Sequence, residues 1–225
     1  MSSLPWVLIL DFDSTIVSIE SLDLLAEISL MDDPEKEKKL KKVISLTKAG
    51  MAGEITFQDS LNKRFSLLNI HQSDVDRVCS IIQNYISSSF IKYSAWMKKN
   101  ANQIFIFSGG FKQIITQALK PFNILEDHIF ANEFLFDESG NILGVDLSIP
   151  FSRSNGKLEQ AKQMKLSMPL VVVGDGNTDA EMKNLGSQVS FLAYIENIKR
   201  DSVVKEADAV AESFDDVIHF LDKME

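Results

Sequence analysis

The stretch Trp6-Val7-Leu8-Ile9-Leu10-Asp11-Phe12-Asp13-Ser14-Thr15 decides the fold, because five apolar residues lead directly into two aspartates and two hydroxyls. An unbroken apolar run of this length is typical of a strand buried on both faces of a parallel sheet. Side chains alternate along a strand, so we expect Asp11 and Asp13 on the same side, with Cα atoms about 6–7 Å apart. Two carboxylates this close repel each other, and a hard divalent cation with oxygen ligands would relieve the repulsion. Alone, the pattern favours such a site and a plain turn equally.

The composition indicates a folded protein with neither nucleic acid nor membrane as partner. The chain has 225 residues, 45% of them hydrophobic, which suits one domain with an insertion or two domains. Its net charge of -9 argues against nucleic-acid binding. No apolar run reaches the ~18 residues of a membrane span, and the N-terminus lacks a signal-peptide pattern. Cys79 is the only cysteine, which excludes an intrachain disulfide and favours a cytoplasmic location.

The hydrophobic pattern changes from strand to helix after Thr15. Apolar residues recur at helical spacing between Leu22 and Leu30. Further helix starts are predicted at Asp33-Pro34, Thr56 and Ser73, with a break at Gly50 and Gly53. We therefore predict a helical insertion over residues 18–89, and a second domain made of residues 1–17 and 90–225.

Two more apolar runs end in polar, glycine-rich clusters. Residues 104–107 lead into Ser108-Gly109-Gly110, and residues 170–173 lead into Gly174-Asp175-Gly176-Asn177-Thr178-Asp179. A helical pattern follows each cluster, which predicts an α/β fold with a doubly wound parallel sheet. Because ligands of such sheets bind outside the carboxyl ends of the strands, we expect all three clusters to converge on one crevice.

Four aspartates of these clusters are candidate metal ligands. Asp11, Asp13 and Asp175 follow strands directly, and Asp179 lies close behind. Such an oxygen-rich set with open positions is typical of Mg²⁺, which also accepts a substrate phosphate oxygen.

The other polar groups suit phosphoryl transfer. Ser108-Gly109-Gly110, just ahead of a predicted helix, can bind an anion through exposed N–H groups. Lys157 falls in the first turn of a predicted helix, where the dipole disfavours a cation, so we expect an anion beside it. Asp11 can attack phosphorus as a nucleophile, and Asp13 can protonate the leaving oxygen and then activate water.

These residues, in this order, resemble the motifs of the haloacid dehalogenase superfamily of phosphohydrolases, and within it the phosphoserine phosphatases. The matching residues are Asp11-Phe12-Asp13-Ser14-Thr15, Ser108-Gly109, Lys157 and Gly174-Asp175-Gly176-x-x-Asp179. The resemblance implies a Rossmann-like core, the helical insertion as a cap domain, and Mg²⁺ as the cofactor. Thr178 stands where the last motif often has asparagine.

The resemblance also implies a substrate. Glu20 matches the family residue that meets the substrate ammonium, and Arg64 matches the one that holds its carboxylate. Arginine suits that role because its planar fork binds a carboxylate bidentately. The other implied substrate-binding residues are Met51, Phe57, Ser108, Gly109, Gly110 and Thr178. The implied reaction is Mg²⁺-dependent hydrolysis of O-phospho-L-serine through an aspartyl-phosphate.

Other functions stay open at this point. The same chemistry can serve another small phosphomonoester, or transfer the phosphoryl group to another amino-acid hydroxyl. A catalytically silent phosphoamino-acid-binding protein is a further alternative, although the nucleophile, acid and metal positions are all filled. In each case the partner is a small phosphorylated molecule, and we expect a monomer or a homodimer.

Overall fold

A computed structural model describes residues 5–166 and 169–224, and a parallel sheet of six strands lies at its centre. The strands are β1 (Val7–Leu10), β2 (Ile104–Phe111), β3 (Ile129–Asn132), β4 (Phe134–Phe136), β5 (Ile142–Val145), β6 (Leu170–Gly174), β7 (Val189–Tyr194) and β8 (Ala209–Ala211). The central sheet has the order β3-β2-β1-β6-β7-β8, whereas β4 and β5 form a separate antiparallel hairpin. The strand order reverses between β1 and β6, which makes the sheet doubly wound, as predicted.

The deciding stretch forms the central strand β1, whose residues are all buried. Leu8 and Leu10 belong to the hydrophobic core on one side of the sheet, and Val7 and Ile9 to the core on the other. Because side chains alternate along a strand, a strand covered on both faces needs apolar residues at every position. Burial on both faces therefore explains the unbroken apolar run that ends at Asp11.

Helices cover both faces of the sheet and fill the chain between β1 and β2. They are α1 (Ser21–Ser29), α2 (Lys36–Met51), α3 (Phe57–Phe65), α4 (Gln72–Ile81), α5 (Ser88–Lys92), α6 (Ser94–Asn100), α7 (Lys112–Leu119), α8 (Gly156–Met164), α9 (Asn177–Ala180), α10 (Asp201–Glu206) and α11 (Phe214–Asp222). Within the described ranges, none of them has both the length and the apolar composition that a membrane crossing requires.

The chain leaves the sheet and returns to it along two adjacent segments. Val17 and Ile86 form an isolated antiparallel bridge there. This bridge lies within three residues of both predicted ends of the insertion, residues 18 and 89. The division into a cap over residues 18–89 and a core made of the rest stays a prediction.

The predicted break at Gly50 is wrong, because α2 continues through Gly50 to Met51. A Cβ atom on Gly50 would lie 2.8 Å from the Ser60 Oγ atom, so this glycine allows α2 and α3 to pack closely. The chain turns at Gly53 instead, where φ is +75°. At the other end α2 begins at Lys36, two residues after Asp33-Pro34. Sequence signals for helix ends commonly err by this much.

Two other boundaries differ from the prediction. Helix α4 begins at Gln72 rather than Ser73, because the His71 imidazole accepts a hydrogen bond from the Ser73 N–H group as the N-cap. Histidine is not among the preferred N-cap residues, so the pattern gave no signal for it. Strand β2 continues through the Ser108-Gly109-Gly110 cluster to Phe111, so the cluster is part of the strand instead of a turn.

We predict that Ile9→Ala lowers the free energy of unfolding by about 2–5 kcal/mol, because it leaves a cavity in the central strand. Ile9 is 1% exposed. The matched control is Leu143→Ala in the hairpin, where the side chain is 70% exposed and the expected change is within about 0.5 kcal/mol. Urea denaturation of both variants measures the difference, and equal losses would contradict the assignment of β1 to the core.

Candidate active site

The three polar clusters meet in one enclosed cavity of about 20 Å³. Its lining contains every residue that was predicted to act in catalysis or substrate binding, and Leu22 in addition. The lining residues are Asp11, Asp13, Glu20, Leu22, Met51, Phe57, Arg64, Ser108, Gly109, Gly110, Lys157 and Thr178. The convergence expected from the parallel strands is therefore present, while the role of each residue stays a prediction.

Lys157 lies between two carboxylates at the bottom of the site. Its Nζ atom is 2.8 Å from Asp11 Oδ2 and 2.6 Å from Asp179 Oδ1. Lys157 lies in the first turn of α8, as predicted. The residue before this helix is Asn155, whose φ is 61°. Burial disfavours the charged lysine, but the charges of Asp11 and Asp179 outweigh it, so the pKa of Lys157 is raised. The ammonium thus stays charged within the site.

Three buried aspartates form a group that can hold a cation. Carboxylate oxygens of Asp11, Asp175 and Asp179 all lie within 4.8 Å of one another. Burial first, and then the charge of Asp11, raise the pKa of Asp179 to about 7, against the opposing effect of Lys157. A set of buried carboxylate oxygens matches the ligands that hard divalent cations prefer, and such a cation would relieve the repulsion.

The Asp13 carboxylate, also predicted as a metal ligand, is not one of these three. It faces the start of α1, where it accepts hydrogen bonds from Ser21 N at 2.9 Å and Ser21 Oγ at 3.1 Å. Burial, followed by the charges of Glu20 and Asp11, raises the pKa of Asp13 well above its usual range, although the Ser21 bonds oppose this. A carboxyl group whose pKa is raised suits a general acid.

Opposite charges face the cavity from the helical insertion. Glu20 Oε1 accepts a hydrogen bond of 2.8 Å from Ser14 Oγ. The Arg64 guanidinium donates to Thr47 Oγ1 at 3.2 Å and to the Ser60 carbonyl at 3.4 Å. Burial raises the pKa of Glu20 and lowers the pKa of Arg64, so both groups are held away from water. Two buried, opposite charges in one cavity suit a zwitterionic ligand.

Two glycines, one in β2 and one in the insertion, let the insertion approach the sheet. A Cβ atom on Gly109 would lie 2.6 Å from the Phe57 ring, and one on Gly53 would lie 2.7 Å from Asn177 Nδ2. Nearby, the Ser108 hydroxyl accepts a hydrogen bond of 2.9 Å from the Gly110 N–H group. The Ser108-Gly109-Gly110 cluster therefore supplies both polar groups and the room for Phe57.

Arg200 is a residue of this site that the sequence analysis missed. Its guanidinium pairs with the Asp175 carboxylate, donates to the Asp175 carbonyl at 3.1 Å, and lies 3.6 Å from Glu20 Oε1. Arg200 thus links the aspartate group to the insertion. In the sequence it stands in Lys199-Arg200-Asp201, which has the composition of an exposed surface. The only available signal was its position shortly after a fourth strand, β7, on the crevice side.

The family of the chain follows from its match to a known sequence pattern. Residues 8–183 match the family described as haloacid dehalogenase-like hydrolase. The chain belongs to this family. The predicted family and its α/β fold are thereby confirmed.

Several relatives are similar over nearly the whole of this chain. The chloroplastic phosphoserine phosphatase of Arabidopsis thaliana is 31% identical over 215 residues, which cover 94% of this chain and 70% of that protein. The phosphoserine phosphatase of Drosophila melanogaster is 28% identical, with 92% and 75% covered. The crystal structure of a phosphoserine phosphohydrolase-like protein from Francisella tularensis matches with a TM-score of 0.84 and 28% identity, covering 98% of this chain and 99% of that one.

We predict that Gly109→Ala destabilises the protein by about 1–3 kcal/mol, because the new methyl group overpacks against Phe57. In the Phe57→Ala background the same substitution should cost much less, since the ring is gone. Unfolding free energies of the four proteins give this coupling directly.

Gly176→Ala is the matched control for Gly109→Ala, because its Cβ atom would have no neighbour closer than 3.4 Å. Additive losses in the Gly109 and Phe57 double-mutant cycle would show that the ring does not rest on this glycine.

Proposed function

We propose that this chain is a Mg²⁺-dependent phosphoserine phosphatase, which hydrolyses O-phospho-L-serine to L-serine and phosphate. One observation carries the proposal: a single cavity combines Asp11 and Lys157 with the opposite charges of Glu20 and Arg64. Two relatives that are 31% and 28% identical are phosphoserine phosphatases, which supports the same substrate.

The substrate's own charges match the two sides of the cavity. On the insertion side, Glu20 binds the ammonium group and Arg64 binds the carboxylate. On the sheet side, Lys157, Ser108 and the N–H groups beside it bind the phosphate. The apolar side chains of Leu22, Met51 and Phe57 supply the walls, as the predicted binding residues Met51 and Phe57 were expected to do.

The reaction proceeds in two steps that Asp11 and Asp13 divide between them. In the first step an Asp11 carboxylate oxygen attacks phosphorus, the bond between phosphorus and the serine oxygen breaks, and Asp13 gives its proton to that oxygen. In the second step Asp13 takes a proton from a water molecule, and the oxygen of that water attacks the phosphorus of the aspartyl-phosphate. Phosphate leaves and Asp11 is restored as a carboxylate.

Asp11, Asp175 and Asp179 are the residues that would hold Mg²⁺. When bound, the ion supplies positive charge against the phosphoryl oxygens. Lys157 adds a second positive charge from the protein itself, and it orients Asp11 through their 2.8 Å contact. Thr178 lines the same cavity and is proposed to contact the substrate.

Entry of the substrate requires the helical insertion to move. A cavity of about 20 Å³ is close to the size that holds one water molecule, far less than a phosphorylated amino acid needs. We therefore propose that residues 18–89 open to admit the substrate and close to exclude water during the first step.

We propose that the protein acts in the cytoplasm. The single cysteine and the negative charge favour a cytoplasmic enzyme that acts on a small phosphomonoester without nucleic-acid or membrane partners. We propose that the protein is a monomer or a homodimer, as expected from the sequence.

We predict that Arg64→Ala lowers kcat/KM for O-phospho-L-serine by about a hundredfold, since a charge-assisted bidentate contact is lost. Phosphoethanolamine lacks the carboxylate, so its turnover should change little. Steady-state phosphate release with both substrates makes the comparison, and Arg77→Ala on exposed α4 surface is the matched control. Equal losses on both substrates would remove Arg64 from the carboxylate site.

We predict that Asp11→Asn lowers phosphate release by at least about a thousandfold while the protein stays folded, because the amide is not a nucleophile. Chelation of divalent cations should abolish wild-type activity, and added Mg²⁺ should restore it. A wild-type protein that binds O-phospho-L-serine without releasing phosphate would identify the silent binding protein. Transfer to the hydroxyl of an added amino acid in place of water would identify the phosphotransferase.

A further inference from the structure

Asn197 lies between β7 and α10, and its side chain binds both connections between the insertion and the sheet. The outgoing connection follows β1 into the insertion, and the returning connection leads from the insertion toward β2. Its Nδ2 atom is 3.1 Å from the Ser14 carbonyl oxygen and 3.2 Å from the Thr15 carbonyl oxygen, both on the outgoing connection. The same atom is 2.9 Å from Ser87 Oγ, on the returning connection. A single half-buried amide therefore joins the two connections.

These two connections form a narrow ribbon with few bonds of its own. The Ser18 N–H group donates to the Tyr85 carbonyl at 2.8 Å, and the Ser87 N–H group donates to the Ile16 carbonyl at 2.9 Å. A two-stranded ribbon of this kind is marginally stable alone. Because the helical insertion must turn about this ribbon when it opens, Asn197 lies at the pivot.

Ser14 connects the pivot to the chemistry. Its φ of 54° is in the left-handed region, which a residue other than glycine rarely adopts without support. Its carbonyl is held by Asn197, and its hydroxyl donates to Glu20 Oε1 at 2.8 Å. Since Ser14 directly follows Asp13, the conformation of Ser14 sets where Asp13 and Glu20 stand relative to each other.

We propose that Asn197 is a positioning residue: by holding the Ser14 carbonyl and Ser87, it fixes the pivot of the insertion and so places Glu20 for the substrate ammonium. This inference rests on the proposed function, in which Glu20 binds that ammonium. Asn197 does not contact the substrate. It acts through Ser14, so its loss should affect a substrate with an ammonium group more than one without.

The test compares Asn197→Asp with the wild-type protein on two substrates. The substitution keeps the shape of the side chain but turns a second oxygen toward the carbonyls of Ser14 and Thr15. We expect kcat/KM for O-phospho-L-serine to fall about tenfold to a hundredfold, mainly through KM, as misplacement of a binding group does. For p-nitrophenyl phosphate, which has no ammonium group, we expect a loss below about threefold by the same reasoning.

Two further variants keep the test decisive. Asn184→Asp makes the same chemical change on the exposed surface and should leave both activities as they are. Ser87→Ala removes one partner of Asn197 without adding charge, so it should shift the substrate ratio in the same direction by a smaller factor, even where Asn197→Asp does not fold. Hydrogen exchange should quicken at residues 14–20 in both pivot variants.

Equal losses on the two substrates, or an unchanged ratio, overturn the proposal. Failure of the proposed function has a different signature, because the wild-type protein would then hydrolyse p-nitrophenyl phosphate but not O-phospho-L-serine. In that event exchange at residues 14–20 decides: faster exchange in the variants supports Asn197 as the pivot, and unchanged exchange rejects it.

Discussion

The ammonium of Lys157, placed between the carboxylates of Asp11 and Asp179, is the interaction on which the site depends. Three aspartates with oxygens within 4.8 Å of one another would otherwise repel in a buried place. A buried ion pair contributes little net stability, because both ions lose their hydration, so this arrangement is better explained by chemistry than by folding. Its position is set by backbone packing: a Cβ atom on Gly156 would lie 2.3 Å from the Pro150 carbonyl oxygen, and only a glycine lets α8 start here and carry Lys157 inward.

The sheet brings the remaining charges to this ammonium. Strands β1 and β6 are neighbours at the point where the strand order reverses, so Asp11 and Asp175 leave the sheet side by side. The insertion follows β1 directly, which places Glu20 only nine residues after Asp11 in the chain. A short connection of this kind holds Glu20, the proposed ammonium-binding residue, near Asp11, the proposed nucleophile, while Arg64 approaches from α3, farther along the insertion.

The site residues outside the insertion that sequence reasoning could find share one property: each lies just after a strand of the sheet or near the start of a helix. Apolar runs identify the strands Val7–Leu10 and Leu170–Gly174. The polar residues that follow these runs are therefore expected at the strand ends. Some helix ends gave no such signal: α2 continues through Gly50, whose missing Cβ atom leaves room for Ser60. Arg200 and Asn197 were missed because their partners are distant in sequence. The Asp13 carboxylate accepts a hydrogen bond from Ser21 instead of joining the other aspartates, because the N-terminus of a helix attracts a nearby carboxylate.

The division of charge between sheet and insertion has a mechanical consequence. Asp11 and Asp175 follow strand ends, while Lys157 and Asp179 lie in the first turns of α8 and α9 outside the insertion, so the proposed phosphoryl-transfer geometry does not depend on the position of the insertion. In the proposed function Glu20 and Arg64 move with the insertion, so the substrate would be recognised only when the insertion is closed. Arg200 touches both groups, pairing with Asp175 on the sheet side and approaching Glu20 on the other. A cation at the aspartate group would compete with the Arg200 guanidinium for Asp175, and an ammonium would compete with it for Glu20, so this one side chain is placed to couple the two binding events.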